Sequence, residues 1–480
     1  METGAEGSHR GPGISRTVLT LAMDQEDQVS AKKRVTTESK NKTFGTKVWA
    51  PVDRRDEKLR AKLRDALKAS CDHELQFAFD PAKPRILLHE PTFRFEEVWE
   101  AVDSLLTTKV TMGSKVRAFE SAFGRKFGTT QNVMVNSGSS ANLLMVAALA
   151  NPATADRLHP GDEVVVPALC WSTSVWPLIQ HQLVPVVIDI DPHTFNLDIG
   201  ELERAIGPKT RGVVTVPIYG NPCPMDEIVK ICRSRGLVLM EDCCESLGAT
   251  FGDQPIGTFG RAGTFSFYFS HHITTLEGGM TVTADHELSE TMRILRAHGW
   301  VRDTLDPQGH AARHPGFHPK FLFTNVGYNL RPTEISGGIG TVQLGRFDRF
   351  IDIRTDNAHY WMQELKPYRH LLRIQKETPG GRSTWFGFPM AVEKNAGFTR
   401  DEICEHLESR GIETRVLSAG NIAEQPGLKL FPHRVVGDTA SANYVLDHGF
   451  TFGNHQEVDS RARSYILECL KEFFRNRGLD

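Results

Sequence analysis

The sequence predicts an α/β fold, with a large domain built on a mainly parallel sheet and a smaller α+β domain after it. Three observations carry this expectation. Between Gln131 and Ala297 short apolar runs alternate with stretches of helical periodicity, the βαβ rhythm of a parallel sheet covered by helices on both faces. Turn-forming clusters such as Asn136-Ser137-Gly138 close several of the runs, at the strand ends where such sheets bind ligands. After about residue 345 the alternation gives way to long helical stretches and isolated strands.

Taken in order, residues 1–45 are rich in Gly, Ser, Thr and charge with few apolar anchors, and disorder is expected there. Residues 46–85 are expected to be a helical N-terminal segment, with an amphipathic helix over Asp53 to Ser70. A large domain is placed at 86–345 and a small one at 346–480. Helices are expected at Phe95 to Leu106 and at Lys115 to Phe123, the latter capped by Ser114. Strands follow at Val133 to Val135, Glu163 to Val166, Val186 to Ile190, Gly212 to Val216, Leu237 to Glu241, Thr264 to Phe269 and Met280 to Thr283. Helices at Ser140 to Ala150, Thr173 to His181, Met225 to Arg235 and Glu287 to Ala297 connect them. Trp300 to Phe323, rich in His, Pro, Arg and Gly, reads as a long surface loop. The small domain is read as a helix from Asp348 into Lys366, strands at Gly387 to Val392 and Glu413 to Leu417, and helices at Thr399 to Arg410 and Ser460 to Asn476.

With 56 basic against 59 acidic residues and a net charge of -3, nothing draws the chain toward nucleic acid or an anionic membrane. No apolar run approaches the roughly 20 residues that span a bilayer, and the first residues lack a signal-peptide apolar core, so the cytoplasm is the expected compartment. The eight cysteines are spread without a secreted-domain framework, and no metal site is expected. Cys243 and Cys244 are adjacent, and in an extended segment adjacent side chains point to opposite faces.

Four motifs carry chemistry. Thr264 to Gly279 runs from an aromatic strand through Ser270-His271-His272 to Glu277-Gly278-Gly279. A histidine of near-neutral pKa moves protons, although two loop histidines by themselves fit better as a pair satisfied by backbone carbonyls. Ser137-Gly138-Ser139-Ser140 opens a helix, where amide donors and the helix dipole attract phosphate, or where serine simply caps. Asp242 and Glu245 stand at a strand end, either as site carboxylates or as solvated caps. Trp171 follows another strand end, as a stacking platform or a core residue.

Together these pieces resemble, over roughly residues 85 to 470 and in the same order, the sugar-nucleotide aminotransferase (DegT/DnrJ/EryC/StrS) family, which has the aspartate aminotransferase fold. The active-site loop of that family resembles Ser-Phe, three residues, Lys, a short spacer and Glu-Gly-Gly. Counting from Ser266, His271 stands where the Schiff-base lysine is expected, so an imidazole replaces the amine that tethers pyridoxal 5'-phosphate. The resemblance implies that Gly138, Ser139 and Ser266 bind the cofactor phosphate, Trp171 stacks on the ring, Asp242 pairs with the pyridinium N–H, and Glu245 contacts the ring. It also implies that Asn329, in Gly327-Tyr328-Asn329-Leu330-Arg331-Pro332, reaches a neighbouring subunit's site, so that the enzyme is a homodimer. Segments such as Leu295 to Trp300, Trp385 to Phe388, Ala419 to Asn421 and Phe452 to His455 are similar to a dehydratase subgroup of the family.

The function so implied is 3-dehydration of a nucleotide-linked 4-keto-6-deoxyhexose with pyridoxamine 5'-phosphate, His271 as base, and glutamate restoring the amine form. An ordinary sugar aminotransferase using another lysine, with Lys320 the candidate, remains an alternative. An iron-sulfur sugar 3-dehydrase and a non-catalytic sugar-nucleotide-binding homologue are two more. Arg331, Arg415 and His298 are open between binding an anion and forming structural ion pairs.

Overall fold

Eight strands form the central sheet among the described residues of this computed structural model, which are 56–75, 78–90, 92–417 and 420–479. The expected disorder of 1–45, the helix start at Asp53 and Ala419 of the Ala419 to Asn421 motif lie outside them. The spatial order is Gln131–Val135, Gly279–Thr283, Ala262–Ser266, Val238–Asp242, Thr210–Thr215, Glu163–Pro167, Val184–Ile188 and Arg434–Val435. From Ala262–Ser266 onward the pairs are parallel, whereas Gly279–Thr283 runs against both of its neighbours. The strands of the parallel set are near-continuous apolar runs such as Val164-Val165-Val166, fully buried, as a sheet covered on both faces requires.

Gln131–Val135 is an edge strand that leads directly into the Ser137-Gly138 turn, and its outer backbone groups are met by buried side chains. Glu120 accepts from the Met134 amide (2.8 Å), while Arg293 donates to the Asn132 carbonyl (2.7 Å) and Arg296 to that of Met134 (2.8 Å). Both guanidiniums also pair with Glu120, at 3.2 and 2.8 Å. All three side chains are nearly inaccessible, so removing the carboxylate strands two buried cations. We expect Glu120→Ala to lower unfolding free energy by about 3–5 kcal/mol, read as a fall in denaturation midpoint at unchanged m-value.

A second, antiparallel sheet of Leu372–Ile374, Met390–Val392, Gly449–Phe452 and Thr414–Val416 packs its own core, in which Trp361, Phe388, Phe452 and Leu470 are buried. Residues 57–480 form one compact unit.

Several boundaries differ from the sequence expectation for physical reasons. The first described helix is Glu57–Glu74. The helix expected from Asp348 begins fourteen residues earlier and spans Glu334–Glu364, crossing position 345. Its Gly337 and Gly340 lower helix propensity but let it approach Ser114–Phe127 closely. A Cβ on Gly340 would lie 2.8 Å from the Phe119 ring. The same contact replaces Ser114 as a cap, because the Glu334 carboxylate takes the Lys115 and Val116 amides at 2.9 and 3.1 Å. Thr173 to His181 is two pieces, a 3₁₀ turn at Ser172–Ser174 and a short helix at Trp176–Gln180. The 300–323 segment contains a helix, Pro307–Ala312, capped by Asp306. The strand expected through Phe269 is Ala262–Ser266, since the Phe267 amide and carbonyl turn to Gly278 and Thr275 and close the loop that carries His271. Gly387 to Val392 shortens to Met390–Val392.

Candidate active site

The carboxyl ends of Gln131–Val135, Glu163–Pro167, Val238–Asp242 and Ala262–Ser266 all open on one cavity of about 340 Å³. Gly138, Trp171, Asp242, Ser266, His271 and Arg415 are among the residues that line it. The small antiparallel sheet contributes Arg415, and the segment before it contributes Phe386.

At the helix Gly138–Leu149, Ser137 caps the third amide through its hydroxyl (Ser140 N to Ser137 Oγ, 3.0 Å), and Ala141 N reaches the Ser137 carbonyl. The first two amides, of Gly138 and Ser139, are therefore left for an outside anion at the positive end of the helix dipole. Ser266 sits against this turn so tightly that a Cβ on Gly138 would be 2.5 Å from its Cβ. Glycine is required there. The Ser266 hydroxyl accepts from Tyr268 N at 3.3 Å, which leaves its proton free to join the same anion.

Asp242 is 4% exposed at the cavity floor. Its Oδ2 accepts from Asn142 Nδ2 (2.7 Å) and Ser174 Oγ (2.6 Å), and its Oδ1 from the Cys244 amide (3.2 Å). Thr264 in turn donates to Asn142 Oδ1 at 2.6 Å, fixing which end of the amide faces the carboxylate. Sequence reasoning misses both Asn142 and Ser174. The available signal for Asn142 is its place as a lone amide in the otherwise apolar run Ala141 to Leu149.

Trp171 is 49% exposed at the cavity, which is incompatible with a core role. Glu245 accepts from Tyr219 N at 3.0 Å, and burial raises its carboxyl to about 7 despite that bond. His271 lines the cavity and His272 is fully buried behind it. His272 reaches the Thr384 carbonyl through Nε2 at 3.2 Å, so carbonyl satisfaction fits His272. The buried His271 Nδ1 has no hydrogen-bond partner among the described residues. Burial, followed by the charges of Arg354, His89 and Arg415, lowers the His271 pKa to about 3. At neutral pH it is therefore a neutral imidazole, whose protonated form is disfavoured.

Seven of the eight expected site residues thus surround one cavity. Asn329 does not. It is exposed, with its side chain accepting from Arg331 Nε at 3.0 Å. Lys320 lies in an exposed 3₁₀ turn, and no lysine is among the described residues lining the cavity. Cys243 is in the core while Cys244 lines the cavity, and among the described residues no cluster of His, Cys, Asp and Glu could hold a metal ion.

The residues present fit a pyridine ring bearing a phosphate. A glycine whose Cβ would collide with Ser266 cradles the phosphate end, an oriented buried carboxylate lies at the floor, and an indole stands open to the cavity.

Residues 93–471 match the profile of the DegT/DnrJ/EryC1/StrS aminotransferase family. The chain is 42% identical to GDP-4-keto-6-deoxy-D-mannose 3-dehydratase of Escherichia coli O55:H7 over 377 residues, covering 78% of this chain and 96% of that one. It also superposes on the E. coli GDP-4-keto-6-deoxy-D-mannose-3-dehydratase with bound hydrated PLP at a TM-score of 0.76, with 40% identity across 80% of this chain and 99% of that one. A structure of GDP-4-keto-6-deoxymannose-3-dehydratase with a trapped PLP-glutamate geminal diamine matches at a TM-score of 0.74 and 39% identity, covering 80% and 100% of the two chains.

Proposed function

The chain belongs to the DegT/DnrJ/EryC1/StrS aminotransferase family, and from that premise we propose that it removes the C3 hydroxyl of a nucleotide-linked 4-keto-6-deoxyhexose. Pyridoxamine 5'-phosphate, when bound, would supply the amine that captures the C4 ketone and a ring that withdraws electrons from the C4' carbon. The chain's residues do the rest. Gly138 and Ser139 amides with the Ser266 hydroxyl hold the phosphate, Trp171 orients the ring face, and Asp242 keeps the ring nitrogen protonated. Glu245, poised near neutrality, donates to or accepts from the ring substituent. His271 takes the C4' proton and delivers it to the departing C3 oxygen, one imidazole serving as base and then acid. Overall, sugar and glutamate become the 3-deoxy ketosugar, 2-oxoglutarate and ammonia, which balances with no added oxidant or reductant.

The observation that carries this reading is His271 in a cavity lined by no lysine among the described residues. The test is to supply pyridoxal phosphate and glutamate and then 4-keto nucleotide sugars, beginning with the GDP-linked substrate of the relatives. The sugar of the expected product lacks one oxygen and has gained no nitrogen. An aminosugar product would instead establish transamination. Borohydride treatment of the cofactor-loaded enzyme is expected to leave no pyridoxyl group on any lysine; a reduced pyridoxyl-lysine peptide refutes the tether-free site.

We also propose that two copies complete the site. Asn329 and a run of exposed apolar side chains just before it, Phe317, Phe321, Phe323 and Val326 (the last 90% exposed), form a surface that a second copy would cover. Sedimentation equilibrium measures this directly, and a monomer that turns over at full rate removes the idea.

A further inference from the structure

Arg354 is a buried cation without an anion. It is 2% exposed, and among the described residues it forms no ion pair with a carboxylate. Its Nη1 donates to the Phe386 carbonyl at 2.9 Å and to the Asn454 carbonyl, and its Nε has no partner among the described residues. Burial draws its pKa down to about 9, which still leaves it charged at neutral pH. Such a group is costly to bury, and a neutral donor could satisfy the same two carbonyls.

What the guanidinium touches is the segment that frames both histidines. Asn454, 1% exposed, donates to the Arg354 and Trp385 carbonyls, each at 3.1 Å. On its other side the segment is bonded to the Tyr219-Gly220 turn, with Phe386 N on the Tyr219 carbonyl (2.9 Å) and Thr384 N on that of Gly220 (3.1 Å). Tyr219 and Trp385 both hold left-handed backbone, at φ 54° and 47°, a conformation that only over-determined surroundings sustain. The result is to place the Phe386 ring 5.1 Å from the His271 ring and 5.6 Å from that of His272, centroid to centroid.

We infer that Arg354 is a positioning residue for the reaction read above: it pins Phe386 against His271, and its buried charge adds to the burial that already disfavours a second cation beside that ring. A base that only collected the C4' proton would stall. One that cannot keep the proton passes it to the nearest acceptor, the C3 oxygen as its bond to carbon breaks. The other charged and titratable groups around His271 are His89, Arg415 and His272, with Glu245, Asp242, Glu277 and Tyr268 on the shared cavity wall. Of these, His89 and Arg415 work in the same sense as Arg354, and a carboxylate, where ionised, opposes it.

The test compares wild type with Arg354→Gln, which keeps a donor for the carbonyls but removes the charge, and Arg354→Lys, which keeps the charge. Hydrogen–deuterium exchange at the imidazole carbon, followed by mass spectrometry of the His271 peptide, reads protonation of this one residue in the full chain without substrate. In wild type, half-protonation is expected at least about one pH unit below that of free histidine. Arg354→Gln should raise the proton affinity of His271 about tenfold or more, shift the acid limb of kcat upward in pH and lower its plateau while leaving KM nearly unchanged. Arg354→Lys should restore most of both properties. A wild-type His271 that titrates like free histidine overturns the inference whether or not any variant folds, and so does an unmoved His271 in folded Arg354→Gln. Because the exchange needs no sugar, a shifted His271 in a protein that dehydrates nothing condemns the reaction reading and leaves this one standing.

Discussion

Replacement of His271 by asparagine is expected to reduce 3-dehydration by on the order of 10³-fold, within the range seen when a general acid–base group is lost. Asparagine fills much of the same space beside Phe386 but cannot move a proton. Apart from Ser266, the residues proposed to hold the cofactor come from other strand ends, so binding of pyridoxal phosphate and its conversion by glutamate should be affected less than the dehydration step. Single-turnover measurements separate the two. His271→Lys goes further, since it restores an amine at the position where the family has one, and should shift the product toward an aminosugar. A 3-deoxy product formed at the wild-type rate by either variant would remove His271 from the mechanism.

The second large effect is expected at Asp242. Three donors converge on its carboxylate, and an asparagine side chain in its place would turn its own N–H groups toward some of them. Asp242→Asn therefore loses both the counter-charge for a ring N–H and the orientation of the group that replaces it. Turnover should fall by roughly 10²–10³-fold, comparable with loss of one preorganised electrostatic contact, together with weaker cofactor affinity measured by fluorescence quenching. Thermal unfolding of the cofactor-free protein distinguishes this from collapse of the floor. Equal turnover and equal affinity would mean that another group serves the ring nitrogen.

Much of the site is legible in the sequence because its residues lie in short segments next to strand ends, where local pattern and position in the βαβ rhythm coincide. His271, Asp242, Trp171 and Ser266 each follow or close a recognisable apolar run. What escapes is whatever depends on distant segments meeting. Arg354 and Phe386 lie more than eighty residues beyond His271 in the chain, one on a helix and one in an irregular segment, and no spacing rule links them to it. Ser174 is hidden inside a stretch that reads as one helix but breaks at Val175. The start of the Glu334–Glu364 helix is missed because Gly337, Gly338 and Gly340 argue against a helix locally, whereas close packing against Phe119 repays them. Asn329 is found by motif, yet its proposed contact belongs to a second copy and cannot be met within one chain.

That long helix also acts as a gauge of fixed length. Near its beginning Glu334 ties down the start of another helix, and about 30 Å further along the axis Arg354 donates to Phe386, beside the loop that carries His271. Each inserted or deleted residue between them would swing one end relative to the other by roughly 100°. The interval between those two side chains must keep its phase, and a single-residue indel within it should silence the enzyme as surely as a change in the His271 loop itself.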